Sequence, residues 1–271
     1  MSNDQSERPR RPETPRHHWD SYVALGDSFT EGLDDPYADG SYRGWADRLA
    51  ENLSVGNPRL HYANLAVRGK LLDQIVEHQV PAAIALRPSL VSLAAGGNDI
   101  LRPGGDPDLL AERFDAAVTE LRAAGADVLI GTGFDTRRKP VMRHVRGRVG
   151  TYNAHLRAIA DRHDCRVADL WSMPVLRDPR AWGEDRLHLS PEGHRAVALR
   201  AGEALGLETD DDWRRPWPPL PVRSWRTQRS EDLRWVREHL GPWIGRRLRG
   251  HSSGDGRGPK RPHPAPLSST R

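Results

Sequence analysis

Between Trp19 and about Leu207 the chain alternates short apolar runs with longer stretches of helical spacing, and this alternation constrains the fold more than any other feature. The short runs are Ser21–Gly26, Leu60–Val67, Leu90–Ala95, Ala126–Gly131 and Arg166–Leu170. Leu90–Ala95 reads as a strand buried on both faces, as parallel sheets require. Between the runs, Tyr42–Leu53 sets Trp45, Leu49 and Leu53 on one helical face. Leu71–Leu86 predicts a helix bent or restarted at Pro81. Pro107–Ala124 is amphipathic and ends at Gly125, and Val149–His163 predicts another helix. The last begins at Ser190 as N-cap with Pro191 in its first turn, and runs to about Leu205. Strand–helix alternation of this kind predicts a parallel sheet covered by helices on both faces.

The 271 residues suffice for one such domain, residues 19–207, with tails. Residues 1–18, rich in Pro and Arg, are expected to be disordered, as are residues 250–271, rich in Gly, Ser, Pro and Arg. Residues 208–249 form a separate extension in which Trp213, Trp217, Trp225, Trp235 and Trp243 are interleaved with Arg and Pro. One helix is expected there, Ser230–Leu248, with Leu233, Val236, Leu240, Trp243 and Ile244 near one face. The extension is expected to wrap on the main domain. The single cysteine, Cys165, excludes an internal disulfide and reads as a small buried thiol. Of 41 basic residues only Lys70, Lys139 and Lys260 are lysine, and the net charge of +4 reads as a solvated surface, so no nucleic-acid partner is expected. The N-terminus has no apolar h-region, and no run approaches the ~18 apolar residues of a membrane span. The expected location is cytoplasmic.

Four short motifs carry the chemistry. Gly26-Asp27-Ser28 closes the first strand, so Ser28 lies at the carboxyl edge of the sheet, where open α/β sheets bind ligands. A serine hydroxyl needs a neighbouring base to act as nucleophile. Asp185-Arg186-Leu187-His188 supplies one: at this spacing the carboxylate can hold one ring nitrogen as donor and leave the other to take the serine proton. His194, six positions on, is a rival base without a matching carboxylate. Negative charge on the former carbonyl oxygen needs donors aimed in advance. The Gly69 amide, unshielded by a Cβ, and the Asn98 side chain in Gly96-Gly97-Asn98-Asp99 are the candidates. Taken singly, Gly69 also reads as a loop glycine and Asn98 as a helix cap. The chemistry calls for no cofactor and no metal, and the histidines lack metal-ligand spacing. Lys70 is followed by Leu and preceded by no P-loop glycine at Asn64; the dinucleotide fingerprint and the G-x-S-x-G elbow are absent.

Gly26-Asp27-Ser28-Phe29-Thr30-Glu31-Gly32, Asn64-Leu65-Ala66-Val67-Arg68-Gly69, Gly96-Gly97-Asn98-Asp99 and Asp185-Arg186-Leu187-His188 resemble the four blocks of the SGNH (GDSL) hydrolase family, over roughly residues 20–205. Tyr42-Arg43-Gly44-Trp45 is similar to bacterial esterase members. The resemblance implies a flavodoxin-like three-layer α/β/α fold with a five-stranded parallel sheet, and a serine esterase acting on small acyl or acetyl esters through an acyl-enzyme. It implies Ser28 as nucleophile, His188 as base, Asp185 as its orienter, and the Ser28 amide, Gly69 amide and Asn98 side chain as oxyanion hole. The Trp-rich extension departs from the minimal family. It leaves open peripheral membrane or protein contact, and a second reading as a non-catalytic binding protein on the same fold.

Overall fold

The computed structural model describes residues 19–139, 142–220, 229, 232–240 and 253–267. Residues 1–18, Trp225, Trp243 and Ile244 lie outside that set. Five parallel strands are β1 (Ser21–Gly26), β2 (His61–Asn64), β3 (Leu90–Ala94), β4 (Asp127–Gly131) and β5 (Arg166–Ala168). Their order, with the added strand β6 (Arg261–Pro266), is β5-β4-β3-β1-β2-β6. The single turn α1 (Ser28–Glu31) follows β1, then α2 (Gly44–Gly56). After β2, α3 (Leu72–Gln74) runs through a π turn, Ile75–Gln79, into α4 (Val80–Ala85), with Pro81 in its first turn; the irregularity expected around Pro81 is this π turn just before it. The remaining helices are α5 (Gly97–Ile100), α6 (Pro107–Ala123), α7 (Arg146–Arg162) and α8 (Pro191–Ala204). Ser190 caps α8, its Oγ accepting from Gly193 N at 3.2 Å.

Side-chain alternation along the strands sorts the core into two layers. Tyr22, Ala24, Tyr62, Leu90 and Leu129 face α2 and α8. Val23, Leu25, Ala63, Val91, Leu93, Val128 and Ile130 face α3, α4, α6 and α7. The one polar side chain inside β3, Ser92, is satisfied across the sheet by the Tyr22 hydroxyl at 2.8 Å. Strand order reverses between β1 and β3, which makes their carboxyl ends the topological switch point.

Residues 250–271 are not simply a disordered tail: β6 pairs antiparallel with β2. Pro262, Pro264 and Pro266 look incompatible with a strand. Their spacing of two puts every missing N–H on one edge, and an outermost strand needs donors only on the other. Lys260 anchors the approach, its Nζ donating to Tyr42 O at 2.8 Å, Arg43 O at 2.7 Å and Asp47 Oδ2 at 2.6 Å.

The Trp-rich extension also meets the domain. Trp213 is buried in the α2/α8 layer and donates to Glu203 Oε2 at 2.8 Å. The Arg180 guanidinium lies 5.2 Å from the Trp217 ring. Of the helix expected over Ser230–Leu248, the described residues 232–240 are helical, ending in a π turn, Val236–Leu240. Of the residues expected on one face, Leu233 and Val236 are 67% and 45% exposed. Among the described residues the contacts of this helix with the domain are the Trp235 indole and Asp232 on the Asp185–Arg186 loop. Cys165 is half-buried, its thiol pushed up to about 11 by burial. Among the described residues no helix is long and apolar enough to cross a membrane.

Candidate active site

The exit from β1 is fixed by the side chains around it. Gly26 has φ +154°, and a Cβ there would lie 2.5 Å from Thr30 Oγ1 and 2.6 Å from Ala94 O, so only glycine fits. The Gln79 amide brackets the same residue, accepting from Gly26 N and donating to Gly26 O, both at 2.9 Å. Asp27 caps the following turn through Phe29 N at 3.0 Å. Ser28 is thus presented at the first position of α1, above the end of β1.

Asp185 and His188 lie on the loop leading into α8. Asp185 Oδ1 accepts from Leu187 N at 2.8 Å and His188 N at 3.0 Å, folding the loop around its own carboxylate. Asp185 Oδ2 is 2.5 Å from His188 Nδ1, and His188 Nε2 is 3.0 Å from Ser28 Oγ. Residues 160 positions apart in sequence are therefore in hydrogen-bond contact. Burial works against an imidazolium at His188, but the Asp185 carboxylate, with Asp34 and Asp27 behind it, outweighs burial and holds its pKa above the ordinary value. For Asp185, burial pushes the pKa up, and the bonds from His188 and Leu187 more than reverse this, leaving it low. Ligand atoms of Asp34, Asp185 and His188 all lie within 4.8 Å of one another, so a second carboxylate stands beside the pair.

His194, the rival base, is excluded by its contacts. It is buried, its Nδ1 accepts from Trp45 N at 3.1 Å, and its Nε2 lies 2.9 Å from Leu33 O. Burial lowers its pKa to about 4. It is a neutral structural histidine that joins α8 to α2 and the loop after α1.

The oxyanion candidates stand less simply. Val67 N donates to Gly26 O at 3.3 Å, carrying the second block alongside the β1 exit. Glu31, nearly buried, accepts from Arg68 N at 2.7 Å and pairs with the Arg68 guanidinium, which fixes the turn into Gly69 at φ +73°. Neither the Ser28 nor the Gly69 amide donates to an acceptor among the described residues. Asn98 Nδ2, by contrast, is engaged, donating to Asp27 Oδ2 at 3.0 Å and Lys70 O at 3.1 Å. It reaches a substrate oxygen only by sharing one of those hydrogens. Asn98 also joins the Ser28 turn to the residue after Gly69. Burial pushes its acceptor Asp27 up to about 6.

Ser28, Asn98 and His188 open onto an apolar cavity of about 160 Å³, walled by Phe29, Ile100, Leu101, Phe134, Met142, Val145, Val149, Tyr152 and Leu187. The segment between β4 and α7 supplies Phe134, Thr136, Met142 and Val145. Gln79 and the Glu31–Arg68 pair were not foreseen in the sequence. For Gln79 a signal exists: it is a polar residue at a core position, four after Ile75 on the buried face of its helix.

A family model for the GDSL-like lipase/acylhydrolase family matches residues 24–196. The chain belongs to this family of ester hydrolases. No curated protein matches it. Solved structures share its fold. LAE5, an alpha/beta hydrolase enzyme from the metagenome of Lake Arreo, Spain, is 21% identical, with a TM-score of 0.59 over 70% of this chain and 97% of its own. Axe2, an acetylxylan esterase from Geobacillus stearothermophilus, is 19% identical, with a TM-score of 0.58 over 72% and 96%. TesA is 20% identical, with a TM-score of 0.58 over 68% and 97%. Residues beyond 196, including the Trp-rich extension and β6, fall outside the family match.

Proposed function

We propose that the chain hydrolyses carboxylic esters of apolar, medium-length acyl groups through an acyl-enzyme on Ser28. The observation that carries this reading is the line Asp185 Oδ2–His188 Nδ1–His188 Nε2–Ser28 Oγ, at 2.5 and 3.0 Å, at the mouth of an apolar cavity. His188 takes the Ser28 proton as Oγ attacks the acyl carbon, and returns it to the leaving alcohol. Water then attacks the acyl-enzyme by the same route in reverse. Asp185 holds Nδ1 as donor and stabilises the imidazolium. The free amides of Ser28 and Gly69 supply two oxyanion donors, with Asn98 as the third once one of its hydrogens is shared.

Acyl length follows from the cavity. At about 160 Å³ it matches an engineered apolar cavity of about 150 Å³ that takes benzene, which is room for about six carbons. An acetyl group, as borne by the substrate named for Axe2, leaves most of it unfilled. Four further methylenes at ~0.8 kcal/mol each favour a hexanoyl over an acetyl ester by ~3 kcal/mol, or ~10²-fold in kcat/KM.

Two measurements test the reading. A fluorophosphonate is expected to label Ser28, and His188→Ala to prevent it; absence of labelling in the native chain would return it to the binding-protein reading. Against p-nitrophenyl esters, kcat/KM is expected to climb from acetyl to hexanoyl. A profile highest at acetyl removes the acyl group from this cavity.

A further inference from the structure

We propose that Trp235, in the extension outside the family match, is a positioning residue for the acid–base loop: its indole holds the main chain of Asp185 and so keeps the carboxylate on His188. The inference rests on the reading of Asp185 and His188 given above.

Trp235 Nε1 donates to Asp185 O at 2.7 Å. The next residue, Arg186, has φ +56° without being glycine, a conformation that persists only where the surroundings impose it. Three groups do so. Asp232 accepts from Arg186 Nη1 at 2.5 Å, the Trp235 ring lies 5.2 Å from the Arg186 guanidinium, and Lys139 Nζ donates to Arg186 O at 3.1 Å. Two successive carbonyls of the loop, those of Asp185 and Arg186, are therefore held from outside the loop, one by the extension and one by the segment after β4. The Asp185 side chain meanwhile turns inward onto Leu187 N, His188 N and His188 Nδ1. Rotation of this peptide would carry the carboxylate off the imidazole, and with it the aim of Nε2 at Ser28.

Asp232 and Trp235, three apart, face the loop. Leu233 and Val236 face solvent, so among the described side chains of this helix it is Asp232 and Trp235, on the loop, that meet the domain.

The test is Trp235→Phe in the full chain, which keeps an aromatic ring, smaller than the indole, and removes the donor. Activity is expressed per active site titrated with fluorophosphonate, so a misfolded fraction does not count. A fall in kcat of about tenfold is expected, with KM within about twofold, because a displaced base costs turnover rather than substrate binding. The acid limb of the pH–kcat profile is expected to move to lower pH, since a loosened Asp185 no longer raises His188 as far. Asp232→Asn is expected to give a smaller change in the same direction. Wild-type kcat per titrated site with an unmoved acid limb in Trp235→Phe overturns the inference while leaving the triad reading intact. Retained turnover in His188→Ala overturns the triad reading itself.

Discussion

Asp185→Asn isolates the contribution of the carboxylate. The loop should survive, because an asparagine oxygen can still accept from Leu187 N and His188 N, now at 2.8 and 3.0 Å. Its NH₂ then takes the place of Oδ2, 2.5 Å from Nδ1. Two donors cannot face each other, so the ring proton moves to Nε2 and points at Ser28 Oγ. The histidine keeps its position and loses its lone pair toward the nucleophile. A wrong tautomer of this kind in a serine triad costs ~10⁴ in kcat, about 5 kcal/mol at 1.36 kcal/mol per decade. Asp34 adds a complication that this structure makes explicit, since it lies in the same cluster. If its carboxylate can reorient onto Nδ1, the loss shrinks, and the double variant Asp34→Asn/Asp185→Asn restores it. The assay is turnover of p-nitrophenyl hexanoate above the His188 pKa, with circular dichroism to confirm the fold. Single and double variants both within tenfold of the native chain would refute the tautomer argument.

Asn98→Ala is expected to slow kcat by ~10²–10³-fold if the amide shares a hydrogen with the oxyanion; a loss of only a few-fold would leave it the role of tying Asp27 to Lys70. The reaction needs neutral His188, whose pKa is raised by Asp185. Activity is therefore expected above that pKa and lost as pH falls through it, with the acid limb higher than the ordinary ~6.5; a pH–rate profile flat from neutral into mild acid speaks against a histidine base. Lys260→Met leaves buried Asp47 and two carbonyls without their ammonium. It is expected to cost ~3–5 kcal/mol in urea unfolding, and a cost below ~1 kcal/mol would mean that this ammonium does not anchor the approach to β6.

What the sequence reveals and what it hides divide along a physical line. Ser21–Gly26 is legible to the residue because alternation and the terminal glycine are local signals, and Asp185 with His188 because the carboxylate folds its own loop. The cap of α8 is equally local. Asn98 shows the limit of such reading: the sequence sets it just after the third strand, but not that Asp27 and Lys70 already hold both its hydrogens, which depends on where three separate loops meet. Gln79 is half legible, as a polar residue where its helix should be apolar, yet its target, the backbone of Gly26, lies 53 residues away. Lys260 and Trp235 are poorly legible, since each binds at least one carbonyl oxygen, which every residue carries, and the side chains they also meet, Asp47 and Arg186, lie far off in sequence. For Arg261–Pro266 composition misleads outright, because proline weakens an inner strand but not the outer edge of a last one. The strand β6 and the contacts of the Trp235 helix resisted reading, and both parts of the chain lie beyond residue 196. There the family pattern gives no guide, and both attach in part through main-chain oxygens that residue type does not identify. One of those oxygens belongs to Asp185, so a reading confined to the four motifs misses a contact on the residue that the proposed mechanism most depends on to orient its base.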